Sequence, residues 1–136
     1  MLLLDNSAWA RRRLPAARER LAVAMEAGEI AVCLPFLLEA GYSARSADDH
    51  RALLGDLSLL PRVEIDLDVE SLALGAQAQL AAIGHHRLPP TDLVIAACAH
   101  RAGHAVLHYD ADYDVIVKHT SLDFTSDWLA PAGTLA

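Results

Sequence analysis

Apolar residues gather along this chain in short unbroken runs, and between those runs they recur at helical spacing. "LLLD" (2–5), "EIAVCL" (29–34) and "HAVLHY" (104–109) are runs of the first kind. A short continuous apolar run bounded by turn residues is expected to form a strand buried on both faces. "RVEIDL" (62–67) reads as another short strand and "SLDF" (121–124) as a last edge strand. Between them lie helical segments. "SAWARRRLPAARERLAVAMEAG" is interrupted at Pro15 and closed at Gly28, and "PFLLEAGYSA" opens with proline at a favoured first-turn position. "ADDHRALLGDLSLL" and "DVESLALGAQAQLAAIGHH" follow. "LPPTDLVIAACAHRAG" breaks at Pro89 and Pro90, is capped by Thr91 and ends at Gly103, and "ADYDVIVKHT" is a short final helix. Strands alternating with helices predict an α/β fold whose parallel sheet is covered on both faces.

Composition narrows the class. With 136 residues, 54% of them hydrophobic, and no linker or repeat, the chain is expected to form one globular domain over residues 1–136. "MLLLDNSAW" is too short and wrongly flanked for a secretory leader, and no run is long enough to span a membrane. Cys33 and Cys98 both sit in apolar runs, which favours free buried thiols and a reducing cytoplasm. The net charge of −7 argues against a chain-wide surface for polyanions. Its distribution adds an exception, because Arg11, Arg12, Arg13, Arg18 and Arg20 face only Glu19. That basic island is either a solvated helix face or a site for phosphates or an acidic partner segment.

Parallel sheets bind ligands beyond the carboxyl ends of their strands, and two acids stand there. Asp5 follows "LLL", and Asp110 follows "AVLHY" in a run that also holds Asp112 and Asp114. Two carboxylates ~4 Å apart repel by about 4 kcal/mol at an effective dielectric of about 20, so such a cluster needs a reason. A calcium loop fails on position: where its sixth and twelfth residues should be Gly and Glu, the chain has Val115 and Ser121. Turn chemistry explains one or two of the aspartates, which leaves Asp110 as the best ligand candidate, Asp114 as helix-terminal and Asp112 between them. Asp5 also suits a helix cap and Asp92 a first-turn acid favoured by the helix dipole. Glu39 is harder to explain away, since its helix is apolar almost all round and a buried carboxylate must be paired or metal-bound. Converging acids without a basic partner match one or two hard cations such as Mg²⁺ or Mn²⁺.

Rival chemistries lack their residues. His100, His104 and His108 are spaced by four, but Gly103 should end the helix between them, which argues against zinc; His85 and His86 read as surface residues. An aspartyl phosphatase needs a second Asp in "DNSA", and a receiver-type phosphorylation module needs a lysine at the end of its last strand, whereas Lys118 falls in the last short helix.

Four segments taken in order, "LLLDNSAW", "LPFLLEAGYSA", "LPPTDLVIAACAHRAG" and "VLHYDADYDVI", resemble the acidic motifs of PIN-domain ribonucleases, specifically the VapC toxins of VapBC toxin-antitoxin modules. The resemblance covers nearly the whole length. It implies a three-layer α/β/α sandwich with a short, mainly parallel sheet, a homodimer, and Mg²⁺- or Mn²⁺-dependent hydrolysis of RNA. It also implies inhibition by a cognate VapB-type antitoxin. Carried over by position, the acidic site falls on Asp5, Glu39, Asp92 and Asp110, with Asp112 as a possible fifth member and Ser7 as the hydroxyl that orients the first acid. Arg11 and Arg12 become candidates for substrate contact. One departure is visible: His108 stands where many family members carry a threonine.

Overall fold

The computed structural model describes residues 1–85 and 87–135; His86, read above as a surface residue, lies outside them. The chain starts in β1 (Leu2–Leu4) and makes the single turn α1 (Asn6–Trp9) before α2 (Pro15–Glu26). Then come β2 (Ile30–Cys33), α3 (Leu34–Tyr42), α4 (Ala47–Leu57), β3 (Arg62–Val63) and α5 (Leu67–Ala82). The remainder is α6 (Pro90–Ala102), β4 (Ala105–His108), α7 (Asp112–His119) and β5 (Ser126–Trp128).

The strands lie in the order β3-β2-β1-β4-β5 and every pairing is parallel. All four residues of β2 are buried, as a strand covered on both faces requires, and the architecture is an α/β/α sandwich. In this order the chain runs outward from β1 on one side and later returns to pair β4 on its other side. The crevice beyond the ends of β1 and β4 is therefore the switch point where such sheets bind ligands.

Helix α6 brings a third acid to that edge. Ala96, Ala97, Cys98 and Ala99 are fully buried, and side chains this small let α6 lie close against its neighbours. Gly103, at φ +72°, closes the helix in the left-handed conformation expected of its sequence position. Cys33 and Cys98 are free and buried.

Three local expectations change. Thr91 does not cap α6: the helix begins at Pro90, with Pro89 in the cap position and no side-chain cap bond. The segment 62–67 is a strand only over Arg62–Val63, because Asp66 accepts the Val69 N–H and starts α5. The last strand is β5, not 121–124. In that stretch Gln79 takes the Ser121 N–H and His100 Nδ1 the Asp123 N–H, while Leu122 and Phe124 anchor it in the core. The backbone is thus committed to side chains before Ser126, Asp127 and Trp128 reach the β4 ladder.

Candidate active site

Asp5 leaves β1 and caps α1, its Oδ2 accepting from the Ser7 N–H at 2.9 Å and the Ser7 hydroxyl at 2.5 Å. The Ser7 hydroxyl in turn accepts the Tyr109 N–H at 2.9 Å, which ties α1 to the end of β4. The other Asp5 oxygen accepts from the Tyr113 hydroxyl at 2.7 Å. A cap and a member of a buried carboxylate group are therefore the same residue, only 3% exposed.

Asp92, 6% exposed, projects from the first turn of α6 toward the same place. Its Oδ1 lies 3.4 Å from the Tyr113 hydroxyl, and its Oδ2 is buried with no hydrogen-bond partner. Asp110 follows β4, with Oδ1 accepting the Asp112 N–H at 2.9 Å. Asp92, Asp110 and Asp112 each present an oxygen within 4.8 Å of the others. Among the described residues no Lys, Arg or His side chain forms an ion pair with any of these acids.

The electrostatic consequence falls on Asp92. Burial, followed by the charges of Asp5, Asp110, Asp112 and Glu39, pushes its carboxyl up to about 8. The α6 dipole pulls the other way, but by only about 0.3–1 kcal/mol, against roughly 1.4 kcal/mol for each pKa unit. Burial and Asp110 raise Asp112 as well. Glu39 is half-buried on α3, stands outside the tight trio and acts on Asp92 through its charge.

Tyr113, with no role assigned from the sequence, shapes this site. Tyr113 is fully buried, and its phenol joins Asp5 to Asp92; the signal available was a tyrosine on the apolar face of a helix, where a buried hydroxyl needs a partner. Burial and the two aspartates raise its pKa well above the ordinary value, so it remains a donor. Asp114 is exposed and accepts from Ser126 Oγ at 2.6 Å and Trp128 Nε1 at 3.0 Å, locking β5 to α7. His108, buried in β4, accepts the Asp110 N–H on Nδ1 and lies 2.7 Å from Ser126 Oγ through Nε2. Burial lowers its pKa, so it is neutral and orients the backbone of Asp110 where a hydroxyl was expected. The three histidines form no cluster among the described residues.

The acids suit a hard cation by their chemistry: oxygen donors only, a buried unpartnered carboxylate oxygen, and no competing ammonium or guanidinium. A parallel α/β sheet with such a group at its switch point has the chemistry to hold a divalent cation there. Comparison with known proteins is specific. Residues 2–118 match the PIN domain family. The ribonucleases VapC18 and VapC21 of Mycobacterium tuberculosis are 37% and 40% identical to the chain, over 97% of it and 97% and 96% of their own lengths. Among solved structures, the DNA-bound VapBC of Salmonella typhimurium superposes with a TM-score of 0.71 over 93% of this chain and 98% of that one, at 21% identity. The chain belongs to the PIN-domain family, in its VapC ribonuclease branch.

Proposed function

We infer that this protein is the ribonuclease toxin of a toxin-antitoxin pair, a metal-dependent endoribonuclease neutralised by a cognate VapB-type antitoxin. The observation that carries the metal dependence is Asp92 Oδ2, buried without a partner beside Asp110 and Asp112. Mg²⁺ or Mn²⁺ is the cation proposed. Asp5, Asp92, Asp110 and Asp112 would hold it, with Glu39 at the rim as a further ligand or a group that orients water. A bound divalent ion supplies a more acidic water and offsets negative charge at the phosphate.

The chain's own residues do the positioning. Tyr113 and Ser7 fix both oxygens of Asp5, so its rotamer is set before any ligand arrives. His108 and the Asp112 N–H do the same for the Asp110 turn. Asp92 gives up its proton when the site is loaded, so affinity for the cation rises with pH up to about 8. No described helix is long and apolar enough to cross a membrane. The likeness to VapC ribonucleases is what supports our reading of a cytoplasmic homodimer.

The test is cleavage of structured and unstructured RNAs by antitoxin-free protein with Mg²⁺, with Mn²⁺ and with chelator, alongside Asp5→Asn. Cutting that needs the metal and disappears in the variant is the expected result. No cutting of any RNA, together with no metal-induced rise in melting temperature, would leave a partner-binding domain as the better account.

A further inference from the structure

The arginine island does not act as one surface. Arg11 is laid against the protein: Nη1 donates to the Ser7 carbonyl at 2.7 Å, and the guanidinium sits 4.4 Å from the centre of the Tyr109 ring. Arg12 and Arg13, on the turn between α1 and α2, instead line a cavity of about 470 Å³ whose far wall carries Arg45 from the α3–α4 connection. Asn6 and Ser43 add polar groups and Trp9 a flat wall. The Arg12 guanidinium stacks 4.6 Å over the Trp9 ring and donates to the Trp9 carbonyl at 3.1 Å.

Among the described residues none of these three arginines forms an ion pair. Burial and the nearby charge of Arg13 lower the pKa of Arg12, and the Asp49 carboxylate offsets only part of that. The one carboxylate in the lining, Asp49, accepts the Arg45 backbone N–H at 3.0 Å, which fixes its position and leaves its charge in the cavity. A protein of net charge −7 thus sets three arginines against one carboxylate in a single concavity, and the excess of positive charge focuses a positive field there. The place is significant too. No acid of the site lines the cavity, but Asn6 follows Asp5 directly and Ser43 lies one helical turn beyond Glu39, so two of the lining residues come from the segments that carry those acids.

We propose that this cavity is a phosphate subsite for the RNA strand, in which Arg12, Arg13 and Arg45 hold a backbone phosphate flanking the one that is cleaved. The proposal rests on the ribonuclease assignment made above. Guanidinium forks match phosphate oxygens in pairs, and the Arg12–Trp9 stack presents a planar cationic face on which a base can lie. That planar face favours a nucleic acid over an acidic peptide, for which a point charge would serve equally.

Binding of fluorescein-labelled poly(U) should be measured by anisotropy in chelator across a salt series. The proteins are wild type, Arg12→Gln/Arg13→Gln/Arg45→Gln, and a control of equal charge change at Arg18, Arg51 and Arg101. The cavity variant should bind more weakly than the control, and its slope of log K against log salt should shrink by about 0.7 for each phosphate that is no longer neutralised. The Arg13→Gln/Arg45→Gln variant leaves the Arg12–Trp9 stack intact and should show the same direction even if the triple variant folds poorly. Mn²⁺-induced stabilisation should not change. Affinity and slope equal to the control's, or no poly(U) binding by wild type, would overturn the proposal. So would a loss confined to poly-glutamate, which would assign the cavity to an acidic peptide. Failure of wild type to cut RNA while the cavity variant still loses poly(U) binding would count against the nuclease assignment and leave the subsite standing.

Discussion

Replacing Asp92 by asparagine should stabilise the metal-free protein, by an amount that depends on pH. The carboxyl is pushed from an ordinary 3.8 up to about 8 on folding. A group whose pKa is raised holds its proton more tightly in the native state. Its contribution is therefore fully present below pH 3.8 and is lost as pH rises toward 8. At 1.36 kcal/mol per unit, wild type at about pH 7 has lost roughly 4 kcal/mol relative to acid conditions. Asparagine keeps the shape and removes the charge, but its amide brings buried N–H donors that cost about 1–3 kcal/mol if unpaired. The net gain at about pH 7 should be about 1–3 kcal/mol, or roughly 3–10 °C in melting temperature for a chain of this size. At about pH 4 it should vanish or reverse. Thermal unfolding in chelator between those limits measures it, and Mn²⁺ should invert the order at neutral pH because only wild type keeps the full ligand set. A variant that melts below wild type in chelator at neutral pH, or an offset that ignores pH, would refute the idea that the cluster is strained by its own charge.

Tyr113→Phe removes the donor that joins Asp5 to Asp92 and should cost about 1–3 kcal/mol, as loss of a hydrogen bond to a charged group does. A smaller Mn²⁺-induced rise in melting temperature should accompany it, since Asp5 loses its fixed orientation; calorimetric titration of the metal gives the same comparison. Asp114→Ala should release Ser126 and Trp128, cost on the order of 1 kcal/mol, and speed amide exchange in β5 while leaving metal affinity near wild type.

The alternation of buried runs with helical spacing was enough to predict a parallel α/β sheet, and the acids after "LLL" and "AVLHY" were enough to predict carboxylates at its edge. These are local properties: period, strand ends and helix stops are written in neighbouring residues. Strand order and the distances between acids are not local. Asp92 meets Asp110 and Asp112 only because β4 pairs beside β1 and small residues let α6 settle close to its neighbours. The same pairing sets Tyr113 between Asp5 and Asp92, although their positions are far apart in the chain. It also separates Arg11 from Arg12 and Arg13, which no reading of "RRR" could do, because each arginine's surroundings depend on what the fold brings to it: Tyr109 from the end of β4, or Arg45 from the end of α3. The last strand lies at Ser126–Trp128 and not at 121–124 for the same reason. "SLDF" alternates as a strand should, but Gln79 and His100 claim its backbone first, and those partners come from helices that local pattern cannot position.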